Sequence, residues 1–215
     1  MAGGKGFGCD PEGYLRHWLI VGPHVVGYEG PAGDDDRLRA EAIDATIVEP
    51  PRDVALGARG PFGEAWRFYA PGANIFVEQS AFYASLARLD LYAATDVHVP
   101  AEARLPARLW AAGTADLWAG GAHLCRHHVP RYMYPEAREL TLPLRAGANR
   151  LCVRLQGFGV RDTRLLFGLQ FLRATGRLRA CLPGPPELTD ELAAKLEEII
   201  GNFKTRFASQ EQSKG

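Results

Sequence analysis

The chain of 215 residues lacks net charge, since 25 Lys and Arg balance 25 Asp and Glu. Such a balance offers no global attraction to nucleic acid or to an anionic membrane. Lysine is scarce and stands only at 5, 195, 204 and 214, so arginine supplies nearly all the cations. With Ala, Gly and Pro abundant, this reads as a composition bias rather than as an arginine-built binding surface. No long apolar run exists. The stretch Trp18-Leu-Ile-Val21 stops at Gly22-Pro23, far short of the ~18 residues a spanning helix needs. The Gly-rich start has no apolar core of a signal peptide, so the expected compartment is the cytoplasm and no membrane partner is expected. Cysteine is limited to Cys9, Cys125, Cys152 and Cys181, without C-x-x-C spacing. These read as free buried thiols, with a Cys125–Cys152 bridge open only if their strands pair. Serines are few, and G-x-S-x-G and H-E-x-x-H are both missing, so the serine-hydrolase and zincin signatures do not apply.

What the chain does have is alternation. An apolar fraction of 47% is enough for a core, and the length suits one sandwich-sized domain plus an appendage. Period-2 patterning predicts strands at 17–21, 25–28, 42–48, 65–69, 74–78, 86–99, 107–112, 115–119, 122–129, 139–144, 149–156 and 164–173. In the segment from Asn149, the residues Leu151, Val153 and Leu155 share one face, while Arg150, Cys152 and Arg154 share the other. Gly22-Pro23, Pro50-Pro51, Gly60-Pro61, Pro71-Gly72, Gly120-Gly121 and Gly147 punctuate the strands with turn chemistry. The expected fold class is all-β: a two-sheet antiparallel β-sandwich, a jelly roll, with one C-terminal amphipathic α-helix. Charge is uneven along it, with net −4 over residues 1–60, +6 over 61–180 and −2 over 181–215. The arginines of the middle lie singly along strands, which points to a solvated face rather than to a phosphate track.

The period changes after Pro186. Leu192, Leu196, Ile199, Ile200, Phe203 and Phe207 form one helical stripe, with Thr189 at the N-cap and Asp190 and Glu191 in the first turn. The expected organisation is a flexible leader over 1–16, the sandwich over 17–180, a Pro-rich linker over 181–188, the helix over 189–208 and a disordered tail over 209–215. The stripe must bury against the sandwich, a second copy of the chain or an adjoining domain, so a homodimer through this helix is one expectation.

Three motifs resemble the galactose-binding-domain-like jelly rolls attached to bacterial glycoside hydrolases. Trp18-Leu-Ile-Val-Gly-Pro23 is similar to their W-x-[IV]-x-G-P opening. Trp118 to Gly121 is similar to their W-x-N-G hairpin, with Gly120 in place of Asn. Leu144, Gly147, Asn149, Leu151, Val153 and Leu155 match their L-x-x-G-x-N-x-L-x-V-x-[LV] element. The likeness runs over residues 17–174. It implies a non-catalytic module of a carbohydrate-active enzyme, partnered by glycan or by a catalytic domain. The alternative is a stand-alone interaction protein that dimerises through its C-terminal helix. A glycosidase or a metal-dependent hydrolase is a third reading.

Sugar binding needs an aromatic face for pyranose C–H groups and polar side chains for the hydroxyls. The candidates are Trp66, Tyr69, Trp118, Tyr132, Tyr134, Arg161 and Asp162. Trp66 alternates with Phe68 in one predicted strand, which favours a core position. Trp118 reads as a packing anchor beside its hairpin, and Tyr132 and Tyr134 form the best exposed aromatic pair. His123, Cys125 and His127 fall on one strand face at i, i+2, i+4, yet that spacing is long for one zinc ion and no partner pair completes a site. Asp34, Asp35 and Asp36 read as a solvated acidic turn rather than as a calcium site. Glycosidase chemistry needs two carboxylates facing across a bond, and the spacing of Asp96, Asp116, Glu136 and Asp162 singles out no pair. No cofactor, metal or catalytic residue is therefore expected.

Overall fold

The computed structural model describes residues 9–29, 43, 46–72, 74–129, 134–172 and 179–183. Those residues form ten strands and no helix. In chain order they are β1 (Trp18–Gly27), β2 (Arg67–Tyr69), β3 (Val77–Glu78), β4 (Ala81–Val99), β5 (Ala103–Ala119), β6 (Ala122–Val129), β7 (Glu136–Leu144), β8 (Gly147–Thr163), β9 (Leu166–Phe171) and β10 (Arg179–Cys181). Every pairing between them is antiparallel.

The strands make two layers. The first runs β2-β1-β4-β8-β5-β6, with β10 also on β4. The second runs β3-β9-β5-β7. Strand β5 belongs to both. Its residues from Ala103 to Ala112 pair with β7 and β9, and those from Thr114 to Ala119 pair with β8 and β6. Gly113 sits at the change of layer with φ +112°, and a Cβ there would lie 2.5 Å from the Gln156 carbonyl oxygen. A side chain would meet backbone in a left-handed conformation, so glycine is what lets one strand turn the corner. The two separate strands expected around this point are accordingly one.

Alternation decides the core. Leu151, Val153 and Leu155 of β8 and Leu91 and Ala93 of β4 pack with Leu109, Leu142, Phe167 and Leu169 of the second layer in one apolar cluster, all at 0% exposure. Each such leucine contributes roughly 1.5–3 kcal/mol by leaving water. Trp18 meets Phe167 edge-on at 5.1 Å and donates from Nε1 to the Leu15 carbonyl at 3.0 Å. The β5–β6 hairpin turns at Gly120 and Gly121, with φ +56° and +84°. Two left-handed residues in sequence match the right-handed twist of the flanking strands.

Several expectations change. The segment Ala65 to Tyr69 keeps only three strand residues, and 46–50 form no strand. The leader expected over 1–16 holds structure in its second half: Leu15 joins the core and Tyr14 bridges Gln170. Cys181, expected in the linker, ends β10. Strand arginines expected on a solvated face are paired instead, Arg154 with Asp90 and Arg150 with Asp96. The expected helix over 189–208, the tail and the acidic turn at Asp34 to Asp36 lie outside the described residues.

Candidate functional site

The outward face of the first layer carries the densest polar chemistry. Antiparallel register places Val21, Tyr92, Arg154, Asp116 and Arg126 in one row across five strands. Leu19, Ala94, Cys152, Trp118 and His123 make the next row. Residues of the β1–β2 connection lie on top, and Val54 and Trp66 join Leu19, Val21, Tyr92, Cys152 and Trp118 in a second apolar cluster. This face is therefore a small core of its own rather than a wet surface.

Asp116 is its electrostatic centre, with a side chain at 0% exposure. Its carboxylate accepts from Arg126 Nε at 2.9 Å and Nη2 at 2.7 Å, and His123 Nε2 lies 3.0 Å from Oδ1. An ionised carboxylate only accepts, so the proton of His123 belongs on Nε2. Burying a carboxylate is costly unless each lone-pair direction is met, and this fork supplies that compensation. Arg126 also donates to the Thr46 carbonyl at 3.4 Å, tying the crossing segment to the sheet. Arg154 reaches Asp90 from Nε at 3.0 Å and from Nη2 at 2.5 Å, with its guanidinium carbon 5.8 Å from the Tyr92 ring centre. Burial pushes the Tyr92 hydroxyl up to about 12, with Arg154 pulling the other way. Burial likewise pushes the Cys152 thiol up to about 12.

A cleft of about 520 Å³ opens at the end of this face. Trp118, Arg150 and Cys152 of the sheet line it, together with the segment Glu49 to Arg52 and the hairpin glycines Gly120 and Gly121. Glycine puts no side chain into the space, so the hairpin wall is backbone alone. Arg150 is anchored by Asp96 through Nε and, at 3.1 Å, through Nη2. Arg52 and Glu49 pair at 2.6 Å on the exposed lip.

Only one sequence-predicted site residue, Trp118, lines this cleft. Trp66 lies in the cluster beneath the crossing segment at 1% exposure. Tyr69 serves architecture, its hydroxyl accepting from the Glu78 amide and donating to the Glu78 carbonyl at 3.2 Å. Arg161 and Asp162 are exposed opposite Tyr83 and Phe82. Arg161 stands nine positions along β8 from Cys152, roughly 30 Å of strand, so these two do not join Trp118. Tyr134 is 77% exposed before β7, and Tyr132 lies outside the described residues. Glu49, Arg52 and Arg150 were missed. Arg150 carried no sequence signal, because its pairing with Asp96 shows only in the register of β4 against β8.

The one-face arrangement of His123, Cys125 and His127 does not form. Leu117 pairs with Cys125 but Trp118 pairs with His123, so Leu124 is an extra residue in β6. This bulge shifts the phase. His123 turns outward against Trp118, Cys125 enters the inner core, and His127 Nε2 lies 2.9 Å from the Glu136 carbonyl oxygen. Among the described residues no group of three or more His, Cys, Asp or Glu is placed to hold a metal ion. All four cysteines are free, and Cys125 and Cys152 sit on opposite faces of one sheet.

No protein-family model matches the chain, and no curated protein matches its sequence. Solved structures give distant likenesses. The PA14 domain of the MpAFP antifreeze protein is 9% identical over 82% of this chain and 94% of that one, with a TM-score of 0.36. A family 35 carbohydrate binding module from an environmental isolate is 8% identical over 53% of this chain and 81% of that one, at 0.34. The GH31 α-xylosidase from Xanthomonas citri is 12% identical over 40% of this chain, at 0.28, and the match spans 12% of that enzyme's length. Likenesses at these scores establish neither a common fold nor a common activity.

Proposed function

We propose that this chain is a non-catalytic β-sandwich module of the galactose-binding-domain-like jelly-roll type, and that it binds carbohydrate in the Trp118 cleft. The observation that carries the reading is the cleft itself. A side-chain-free hairpin and the charged groups of Glu49, Arg52 and Arg150 combine in a volume suited to a sugar unit, with the largely buried Trp118 among its lining residues. The three motifs that carry the family likeness lie in β1, at the β5–β6 hairpin, and from the end of β7 into β8.

The carboxylates of this face support a binding rather than a hydrolytic role. Asp90, Asp96 and Asp116 are each engaged by arginine. A glycosidase instead needs one carboxyl group free to give a proton and another free to attack or to activate water.

The test is retention of the whole chain on a glycan array, followed by titration calorimetry with the retained sugar. Arg150→Gln and Arg52→Ala are expected to weaken binding at least tenfold while the thermal midpoint stays within a few degrees. Wild-type protein silent across the array, or variants that bind as wild type does, would overturn the cleft as the site. An adjoining catalytic domain would then be the partner to seek.

A further inference from the structure

Each charged group that lines the Trp118 cleft stands beside a partner of opposite sign. Arg150 is held by Asp96, through Nε and, at 3.1 Å, through Nη2. The register fixes this pair, because Asp96 of β4 stands opposite Arg150 of β8. On the lip Arg52 reaches Glu49 at 2.6 Å, and both of those side chains are exposed. Two guanidinium groups and two carboxylates therefore meet here, and their formal charges cancel. Asp53 adds a further negative charge beside Arg52. The Cys152 thiol adds none at neutral pH, since burial pushes it up to about 12. The other lining residues, Pro50, Pro51, Trp118, Gly120 and Gly121, have no ionisable side chain.

A charge-balanced lining still offers hydrogen bonds. A guanidinium carries five N–H donors, and the two bonds to Asp96 leave Arg150 with others for a ligand oxygen. The Arg52–Glu49 pair sets donors beside an acceptor. Adjacent hydroxyls of a sugar match that arrangement, one accepting while the next donates. An anionic ligand fares differently. It must shed its water as an ion, yet the Arg150 charge is already met by Asp96. It also comes up against Asp96 and Glu49 as like charges, and such juxtaposition rejects a ligand.

On the reading of this cleft as a sugar site, we infer that it takes an uncharged saccharide through adjacent hydroxyls and excludes uronic acids and sulfated sugars, with Asp96 setting that selectivity through Arg150. Asp96 is a positioning residue here. It fixes the guanidinium and cancels its charge, so that what remains on offer is a set of directed N–H donors rather than a free cation.

The experiment is a glycan array on which neutral oligosaccharides stand beside counterparts oxidised to the uronic acid or sulfated at one hydroxyl. The full chain is applied at low and at high salt, and calorimetry follows on the retained pair. Wild type is expected to bind the neutral member at least tenfold more tightly than its acidic counterpart. Its affinity for the neutral member should change less than twofold with salt. Asp96→Asn leaves Arg150 charged without its carboxylate and is expected to raise binding of the acidic member at least tenfold, a gain that high salt removes. Damage to the fold would weaken both members alike, whereas the charge role shifts the preference between them. Should Asp96→Asn not fold, Glu49→Gln decides: its side chain is exposed, and acidic binding is expected to rise severalfold. Wild type that prefers the acidic member, or folded variants that keep the wild-type preference, would overturn this selectivity while leaving the cleft as a sugar site. Wild type silent on neutral and acidic members alike would overturn that reading of the cleft, and this inference with it.

Discussion

Trp118 and Trp110 lie on the same strand with the same outward parity, yet one is closed at 2% exposure and the other is half-open. Strand β5 crosses from the second layer to the first at Gly113, so the two indoles face opposite sides of the molecule. Over Trp118 lie Val54 and Trp66 from the β1–β2 connection, and beside it Arg126 neutralises Asp116 while His123 bonds to it. Around Trp110 the neighbours across the sheet are a glycine and an alanine, with Phe76 against its edge and Arg108 over its ring. Pointing away from the core is thus not the same as pointing into water. The outward face of the first layer is a second packing interface, and its cleft opens only at the end of that face.

The sharpest way to break this comparison is truncation. Trp66→Ala removes a fully buried indole and is expected to cost about 4 kcal/mol, whereas Trp110→Ala should cost about 1 kcal/mol because its site is already half in water. Chemical denaturation of both variants measures the difference, and equal losses would mean that the two faces are packed alike. Next in size is Asp116→Asn, which leaves Arg126 and His123 facing an uncharged group in a closed setting. About 3 kcal/mol is expected from equilibrium unfolding, against less than 1 kcal/mol for Glu139→Gln at the exposed Arg108 pair. Gly113→Ala tests the corner that separates the two indoles. A Cβ in a left-handed conformation, 2.5 Å from a backbone oxygen, is expected to cost about 2 kcal/mol.

The smallest effect near neutrality concerns the closed face alone. The Cys152 thiol is held up to about 12 by burial, from an ordinary value of 9.0. Between those limits the unfolded chain releases this proton and the native chain keeps it. Stability therefore falls as pH rises above about 9, by up to about 1.4 kcal/mol per pH unit for one thiol. Cys152→Ala should flatten that part of the alkaline unfolding profile. The native thiol should also resist alkylation at pH 8, where Cys152 in the unfolded chain reacts.

Legibility in the sequence followed the range of each interaction. The ridge of Leu151, Val153 and Leu155, the hairpin at Gly120-Gly121 and the strand at 122–129 were all readable, because side-chain alternation and turn preference act over a few residues. The bulge at Leu124 was not readable, since an extra residue shows itself only against a partner strand. It alone turned the expected His123, Cys125 and His127 face into residues on two sides of the sheet. Trp66 was expected in a core and lies in one, but on the outward side of the first layer, beneath a segment that no local pattern assigns to it. The half-burial of Trp110 was not readable either, because it is set by Phe76 seated over Gly168 and by Ala137 on neighbouring strands far away in the chain.

By itself, then, the amino-acid order determined that the described chain is built of antiparallel strands, which residues of each strand point inward, and where the tight reversals fall. Only the tertiary structure decided which outward faces are covered, which carboxylates are neutralised and which tryptophan stays partly exposed. The physical reason is that alternation and turn chemistry are properties of adjacent residues, whereas burial of an outward face depends on a distant segment settling on it. Such settling is governed by packing and charge compensation summed over the whole molecule.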